Sequence, residues 1–394
     1  MRLMTVNAST PAALPWSGVI ARRMTRHKLI QPATDLGPEG IAGAMCGAHA
    51  QVLSAAELSI GRRIAGATRS DVRHALWDKR TLVKTFGPRG TVHLLPAADL
   101  PMWTGAFSTL PSSVPMHPEG VRFTPEQADE VVAAIGDALA TAELTVDELT
   151  EAIADRTGLW AVERTMEGFG DKWPRWRQVT STAAHRGMLC FGPDKGRKVS
   201  YTSPRRWLPG FRPTDGEAAL RALVTRYLYA YGPATPRHFA RWLGIPPRYA
   251  VELFGRMRGE LERVELGGEP AWVVAGDVQT PPEPCRGVWL LPYFDPYVVA
   301  GQPRELLYPG VAATRALSPA GQAGNYPVLL IDGVVGGVWH QRRSGRKLAI
   351  AVEPMSELTA SQRRELDDEV GRVGEVMEAT ATLTVGVVTV GAHA

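Results

Sequence analysis

The sequence predicts an α+β protein with three tandem winged helix-turn-helix units followed by a C-terminal β-barrel. Three observations support this prediction. A stretch of helical periodicity followed by two short strands occurs three times along the chain. From Pro281 onward the pattern changes to β-rich runs separated by Gly and Pro. The length of 394 residues also favours several units over a single core. The predicted domains are residues 1–120, 121–214, 215–280 and 281–394.

The first unit is predicted from three helices and a hairpin. The helices are expected at Trp16–Leu29, around Gly37–Ala50 and at Arg69–Leu82. They lead into VKTFGPRGTVHLLP, which has the pattern of two strands joined by a glycine turn.

The second unit repeats this order, with clear start signals for its helices. Thr124 with Gln127, and Thr145 with Glu148, have the spacing of capping boxes. The third helix is predicted over WPRWRQVTSTAAHRGM, and the wing over LCFGPDKGRKVSYTS.

The third unit has the clearest pattern of the three. Its first helix is predicted to end at Gly232, and Thr235 with Pro236 has the signature of an N-cap followed by a first helical proline. A helix over PPRYAVELFGRMRGEL follows, and two strands flank Gly267-Gly268.

The C-terminal part is predicted to be a small barrel or sandwich. PPEPCRG is interpreted as a linker, and one charged helix, Ala360–Glu378, is expected on the outside of the strands. The β-rich runs are VWLLPYFDPYVVAG, VLLIDGVVGGVWHQ, KLAIAVEPM and ATLTVGVVTV.

Composition excludes several classes of protein. With 44% apolar and 21% charged residues the chain is typical of soluble globular proteins, and no window approaches the ~18–20 apolar residues of a spanning helix. The N-terminus has no secretory pattern, and the three cysteines lack zinc or disulfide spacing, so a reducing cytoplasm is expected. Neither a metal nor a cofactor is predicted.

The net charge of +4 is unevenly distributed along the chain. Between Asp171 and Arg206 there are nine Lys or Arg residues against two acids, and between Gly333 and Val352 there are four basic residues and no acid. Such concentrated basic segments favour a protein that meets a polyanion on one face.

The pentapeptide Gly47-Ala48-His49-Ala50-Gln51 places two polar side chains two residues apart in a small, apolar stretch. On its own this pattern leaves two interpretations open. The two side chains can satisfy backbone groups at a helix end, or they can form a catalytic pair.

Segments along nearly the whole chain resemble the AlkZ/YcaQ-like family of bacterial DNA glycosylases, of the HTH_42 winged-helix superfamily. The family's catalytic signature is Gln-Φ-Gln or Gln-Φ-Asp, where Φ is aliphatic, and this sequence has the variant His-Φ-Gln. Branches with this variant are found beside the biosynthesis of DNA-alkylating antibiotics, which suggests self-resistance. The segments that carry the resemblance are ARRMTRHKL, GAHAQ, RGTVHLLPAADLPMW, HRGMLCFGPDKGR, YLYAYGPATPRHFARWLG, LLPYFDPYVVAG and IDGVVGGVW.

The resemblance implies a concave DNA-binding groove and a monofunctional glycosylase that hydrolyses the N-glycosidic bond of bulky N7-alkylguanine adducts. It implies that His49, as neutral imidazole, polarises the attacking water and that Gln51 holds this water or the sugar. The expected partner is double-stranded DNA carrying alkyl adducts. No membrane association and no obligate protein partner are expected, and the protein is expected to act as a monomer, cytoplasmic and nucleoid-associated when bound to DNA.

Further residues are candidates for DNA contacts. WHQRRSGRKLA predicts a basic hairpin that the resemblance places against DNA. Trp207, Trp242 and Trp289 are expected in the core, whereas Trp16, Trp103 and Trp339 are weaker candidates for stacking on a base. The candidate DNA-binding residues are Arg342, Arg343, Arg346 and Lys347 on the hairpin, Arg89, Thr91 and His93 alternating along the strand after Gly87-Pro88, and Lys195, Arg197 and Lys198 on the second wing.

Two alternatives to the glycosylase remain open at the level of sequence. One is a non-enzymatic winged-helix DNA-binding regulator, and the other is an adduct-sequestering protein that binds damage without excising it. For the enzyme, an open surface that attacks from the groove is expected in place of a closed base pocket, because a bulky adduct does not fit a tight pocket.

Overall fold

The computed structural model describes residues 11–111, 117–168 and 171–391, and the fold is α+β, as predicted. Residues 1–10, which make up most of the segment without a secretory pattern, lie outside the described residues.

The first part of the chain forms helices and a small antiparallel sheet. A π-helical turn at His74–Asp78 follows its fourth helix. The elements are β1 (Ala12–Leu14), α1 (Trp16–Arg26), α2 (Pro38–Ala44), β2 (Ala48–His49), α3 (Leu53–Gly61), α4 (Arg69–Arg73), β3 (Leu82–Phe86), β4 (Val92–Pro96) and α5 (Leu100–Ser108).

Two predicted helices of this part are shorter than expected. The helix around Gly37–Ala50 ends at Ala44, because Cys46 and Gly47 have positive φ angles of 54° and 96° that turn the chain into β2. The helix predicted over Arg69–Leu82 keeps α geometry only to Arg73. The hairpin that follows is confirmed by the pairing of β3 with β4.

The second part confirms the predicted capping signals. The hydroxyls of Thr124 and Thr145 accept hydrogen bonds from the backbone of Gln127 and Glu148, and both boxes are complete. The predicted third helix is divided into a 3-10 segment, Arg175–Val179, and a short α-helix. The elements are α6 (Pro125–Thr141), β5 (Leu144–Thr145), α7 (Val146–Thr157), β6 (Arg164–Met166), β7 (Trp173–Pro174), α8 (Thr180–His185), β8 (Cys190–Lys195), β9 (Lys198–Thr202) and α9 (Pro204–Trp207).

The third part follows its predicted order closely. Thr235 caps a helix that has Pro236 at its first position, as predicted. The elements are α10 (Gly216–Tyr231), α11 (Pro236–Leu243), α12 (Pro247–Arg256), β10 (Leu261–Leu266) and β11 (Glu269–Val274).

The three parts share one topology. In each, a short extended segment between two successive helices pairs with the second strand of the later hairpin. The pairs are β2 with β4, β5 with β9, and Ala234 with Trp272 of β11. His49 therefore lies on the inserted strand of the first repeat.

The N-terminal segment joins the first and third parts, because β1 pairs in parallel with β10. Arg22 and Arg26 of α1 both form ion pairs with Asp277, just beyond β11. The four domain boundaries stay predictions.

The C-terminal part contains one five-stranded sheet in the order β12-β13-β14-β15-β16. Among the described residues β12 and β16 do not pair, so the sheet is a curled half-barrel and the predicted barrel is confirmed only in part. The elements are β12 (Val288–Leu291), α13 (Pro296–Ala300), α14 (Arg304–Leu307), α15 (Val311–Ala316), β13 (Val328–Ile331), β14 (Val334–Ser344), β15 (Lys347–Pro354), α16 (Ala360–Val376) and β16 (Thr380–Val385).

One predicted strand is partly a helix. The apolar run after Pro292 bends into α13, because the Asp295 carboxylate caps the backbone N–H of Tyr297 and Pro296 occupies the first helical position. Trp103 and Trp339 are 2% and 1% exposed, so both are core residues and neither is a candidate for stacking on a base. Trp207, Trp242 and Trp289 are buried, as predicted.

A buried ion pair connects the first part to the C-terminal part. Arg63, just after α3, and Asp295 are both completely buried, with Nη2 and Oδ1 2.8 Å apart. Ser59 also donates to the Asp295 carboxylate at 2.7 Å. Burial alone raises the pKa of Asp295, but the Arg63 charge and these hydrogen bonds outweigh it, so the pKa lies below its ordinary value.

No helix among the described residues is long and apolar enough to cross a membrane.

Asp295→Ala should lower the free energy of unfolding by about 3–5 kcal/mol, because it leaves the Arg63 guanidinium buried without its partner. Asp137→Ala, which breaks the exposed ion pair of Asp137 with Arg156, is the matched control and should cost about 1 kcal/mol or less. Urea unfolding followed by circular dichroism measures both. Equal losses in the two variants would contradict the structural role of the buried pair.

Candidate active site

His49 is positioned by a tight turn that only glycine can make. Gly47 has a φ of +96°, and a Cβ at this position would lie 2.7 Å from the Leu95 side chain. The chain then pairs with β4, so that His49 lies opposite His93. Tyr231 of α10 anchors the same turn by donating its hydroxyl to the Met45 carbonyl at 2.6 Å.

The His49 ring is enclosed by two other rings. It stacks on Phe294 with ring centroids 4.5 Å apart and an interplanar angle of 26°. The His93 ring meets it edge to face at 5.1 Å. The His49 side chain is only 7% exposed.

The ring nitrogens of His49 have no hydrogen-bond partner among the described residues. Nδ1 is buried and unpaired, while Nε2 keeps access to solvent. Because buried polar atoms are normally satisfied, the unpaired nitrogen marks a place where a water molecule or a substrate group belongs.

The imidazole of His49 is neutral at neutral pH. Burial lowers its pKa to about 3, and the nearby Arg89 guanidinium acts in the same direction. The pKa of His93 is also lowered well below its ordinary value, first by burial and then by the proximity of His49 and Arg89.

Gln51 lies just beyond β2 and is exposed. Its amide makes no hydrogen bond to the part of the chain that the structure describes. Both the donor and the acceptor of this amide are therefore available to a ligand.

A small cavity opens beside His49. Its volume of about 10 Å³ is enough for roughly one water molecule. Burial raises the pKa of the Cys46 thiol to about 12, so this group is protonated and not nucleophilic. The residues around the cavity, none of them a lysine, are Cys46, Gly47, His49, Arg89, His93, Tyr231, Trp242, Phe294, Pro296, Val299 and Ala300.

The expected alternation of Arg89, Thr91 and His93 along one strand is wrong, because β4 begins only at Val92. Arg89 has a φ of +60° within a 3-10 turn, and its Nη1 donates to the Trp242 carbonyl at 2.5 Å. It is exposed but lies in the concave wall of the cavity. The Thr91 hydroxyl donates a hydrogen bond to the Pro88 carbonyl. His93 donates a hydrogen bond from Nδ1–H to the Thr91 carbonyl.

The basic hairpin is confirmed as a structural element, with β14 and β15 joined at Ser344 and Lys347. Arg343 is anchored, since it donates to the Met377 carbonyl at the end of α16 at 2.7 Å. Arg342, Arg346 and Lys347 are exposed and form no ion pair within the described ranges.

The second wing is largely neutralised by its own acids. Lys198 forms an ion pair with Asp147 at 2.7 Å, and Lys195 donates to the Glu143 carbonyl. Arg197 at the tip of this wing is exposed.

Comparison with known proteins identifies the family. The family model "DNA glycosylase AlkZ-like" matches residues 42–376. The chain belongs to the AlkZ-like family of DNA glycosylases. The relative "Interstrand DNA cross-link repair glycosylase" of Streptomyces sahachiroi is 33% identical over 338 residues, covering 82% of this chain and 87% of the relative. The solved structure of Streptomyces sahachiroi DNA glycosylase AlkZ matches with a TM-score of 0.78 and 28% identity, covering 94% of this chain and all of that one.

Membership of the AlkZ-like family confirms the predicted resemblance and the identification as a DNA glycosylase. The roles of individual residues stay predictions. Sequence reasoning missed Phe294, which has a left-handed φ of +55° and whose ring would clash at 2.9 Å with any Cβ at Gly324. The Asp-Pro pair after it was the one available signal for the turn, but no sequence pattern links Phe294 to His49.

The fold should lose stability in acid because it buries several neutral histidines. The pKa is lowered to about 3 in His27 and His49 and to about 4 in His185 and His238, with burial as the largest cause. The unfolded chain binds protons below pH ~6.5, whereas the folded chain does not until about pH 3–4. Stability is therefore complete above pH ~6.5 and falls as the pH decreases through this window.

Urea unfolding at pH 7 and pH 5 measures this loss. His27→Gln removes one fully buried histidine. In this variant the decrease in the free energy of unfolding from pH 7 to pH 5 should be smaller than in wild type by about 2 kcal/mol. An equal loss in wild type and His27→Gln would contradict the prediction.

Phe294→Ala should raise the pKa of His49 toward its ordinary value, because the stacked ring removes the imidazole from water. Proton–carbon NMR of the imidazole Cε1–H measures this pKa, with the His49 signal assigned by its absence in His49→Gln. In wild type the signal should not titrate between pH 8 and pH 5. Phe123→Ala, in the core of the second part, should leave it unchanged, and a similar His49 pKa in all three proteins would count against the stacking role.

Proposed function

We propose that this protein is a monofunctional DNA glycosylase that hydrolyses the N-glycosidic bond of bulky N7-alkylguanine adducts in double-stranded DNA. The observation that carries the proposal is the neutral His49 imidazole, with free ring nitrogens, beside a cavity of one-water size at the position of the family's catalytic motif.

The substrate supplies much of the driving force for this reaction. Alkylation at N7 gives the guanine a positive charge. When the C1′–N9 bond breaks, both bonding electrons leave with the base and neutralise this charge. The sugar develops oxocarbenium character, and water adds to C1′. The protein has to orient one water molecule and keep its own positive charge away from C1′.

His49 fits the role of orienting this water. A neutral imidazole accepts a hydrogen bond from water without repelling the developing cation, whereas an imidazolium would repel it. Because its pKa is about 3, His49 is a weak base, and positioning accounts for its role better than early proton removal. As the water oxygen bonds to C1′ it becomes positively charged and strongly acidic, and its proton then passes to the surrounding solvent. Gln51, exposed beside it, would hold the same water or the sugar.

The open form of the site supports attack from the groove. The cavity beside His49 has room for about one water molecule and not for a purine. A base flipped into it would not fit, so the adduct would remain in the DNA stack while the glycosidic bond is cleaved. Such an arrangement tolerates bulky adducts.

The name of the Streptomyces sahachiroi relative supports one extension of the proposal, the release of guanines that form part of an interstrand cross-link. Self-resistance to a DNA-alkylating antibiotic is proposed from the His-Φ-Gln variant of the signature alone. The protein would act as a monomer on DNA in the cytoplasm, with no metal or cofactor.

The three repeats are proposed to be winged helix-turn-helix units that form the DNA groove with the C-terminal sheet. Their shared topology, with one inserted strand paired to the hairpin, supports this assignment. Arg342, Arg346 and Lys347 on the basic hairpin are the proposed phosphate contacts, with Arg343 holding the hairpin in place. Arg197 is the remaining unpaired candidate on the second wing, while Thr91, Lys195 and Lys198 are weaker ones because each is bound within the protein.

Base release from a duplex carrying one bulky N7-alkylguanine tests the proposal. The wild-type protein should produce abasic sites that break in alkali, and His49→Ala and Gln51→Ala should reduce the single-turnover rate by about 100-fold or more. His49→Gln, which restores the Gln-Φ-Gln signature, should retain much of the activity because it keeps a neutral hydrogen-bonding side chain.

DNA binding by the same variants is the control for folding. Binding of an adduct-containing duplex should be nearly unchanged in His49→Ala and Gln51→Ala. Tight binding by the wild-type protein without any abasic product would instead indicate adduct sequestration. Sequence-specific binding to undamaged DNA would indicate a regulator.

A further inference from the structure

Three arginines from distant parts of the chain lie in or next to the wall of the cavity beside His49. Arg89 lines the cavity itself. Arg241 of α11 immediately precedes Trp242, which also lines it, and Arg304 of α14 donates to the carbonyl of Val299, another lining residue, at 2.9 Å. We call Arg89, Arg241 and Arg304 the arginine cluster.

The arginine cluster is held by main-chain carbonyls and not by carboxylates. Arg89 donates to Trp242, Arg241 to Gly321, and Arg304 to Val298 and Val299. No ion pair involves any of the three among the described residues. Arg315 differs in this respect, because its guanidinium forms an ion pair with Glu353 at 2.9 Å.

The charges of the cluster repel one another. The pKa of Arg304 is lowered by burial and by Arg241, with only weak attraction from Glu305, and that of Arg89 is lowered by burial and by Arg304. The neighbouring His238 has its pKa lowered to about 4 by burial and then by Arg23, Arg241 and Arg304. Positive charge is therefore concentrated at this wall without compensation in the protein.

We propose that the arginine cluster is a subsite for a backbone phosphodiester next to the damaged nucleotide. A phosphodiester is the ligand that supplies the missing negative charge and accepts hydrogen bonds from several guanidinium groups at once. Arg241 is exposed, so its remaining donors can reach such a ligand, and Arg89 lines the cavity itself. The phosphate would fix the position of C1′ relative to the water at His49.

The phosphate subsite rests on the proposed function, because it needs DNA in the groove, but DNA binding tests it separately from base release. The basic hairpin would contribute phosphate contacts elsewhere on the duplex. The cluster would contribute a contact tied to one position beside the lesion.

Salt-dependent binding to a duplex with a central tetrahydrofuran abasic analogue tests the subsite without catalysis. Arg241→Gln and Arg304→Gln should each reduce the slope of log Kd against log salt concentration by about 0.9, the value for one lost phosphate contact. Arg241→Lys keeps the charge and should keep the slope. Arg156→Gln, in the exposed ion pair with Asp137, is the control of equal net charge. If Arg241→Gln and Arg304→Gln both have the same slope as Arg156→Gln, the proposal is overturned.

A neutral methylphosphonate placed on either side of the abasic analogue locates the contact. At one of the two positions it should weaken wild-type binding about tenfold and weaken Arg241→Gln binding much less, because the contact is already lost. An equal loss in both proteins at both positions would exclude the subsite. Arg241 has a single hydrogen bond to the protein, so its variants answer the question even if Arg304→Gln does not fold.

Base release, measured separately, distinguishes the two proposals. If the wild-type protein releases the base, but the cluster variants leave the salt slope and the methylphosphonate effect unchanged, only the subsite would be excluded. Cluster-dependent binding without base release would support the subsite and contradict the glycosylase activity. Failure of the wild-type protein to bind the duplex at all would exclude both.

Discussion

The buried ion pair of Arg63 and Asp295 is the interaction on which the site depends. The two charges come from segments 232 residues apart, and neither is accessible to water. Separating them would leave an unpaired charge in the interior, so the pair strongly favours one relative position of α3 and α13. Because His49 lies shortly before α3 and Phe294 immediately precedes Asp295, this position also brings the two stacked rings together. The candidate site is thus built by a contact outside it.

Desolvation then determines the chemistry of the assembled site. The burial that encloses His49 lowers its pKa to about 3, and burial also lowers the pKa of Arg89 and Arg304. Among the described residues no carboxylate lines the cavity, so the wall is electropositive although its histidines are neutral. A polyanionic ligand is the natural complement of such a wall, whereas the neutral imidazole at its centre is compatible with a sugar that develops positive charge.

Local signals in the sequence predicted the repeats well, because caps and turns depend on neighbouring residues. Thr124, Thr145 and Thr235 begin helices where their spacing indicated, and the hairpins turn at their glycines. Helix α13 was missed because its apolar residues suit a strand equally well, and only the cap at Asp295 decides between them. Barrel closure and the pairing of β1 with β10 depend on contacts between distant segments, which leave no periodicity in the sequence.

The candidate site also depends on contacts between distant segments, and these contacts keep its histidine neutral. A glutamine at the first position of the signature is neutral in any surroundings, but a histidine is neutral at physiological pH only where its pKa is held down. Phe294 supplies the desolvation by stacking at 4.5 Å, and Arg89 adds repulsion of a positive charge. The three residues of the His-Φ-Gln signature therefore do not by themselves determine the charge of the histidine. Its histidine is held neutral by the ring and the arginine that the fold brings to it, and this is why the motif alone could not distinguish a catalytic histidine from a structural one.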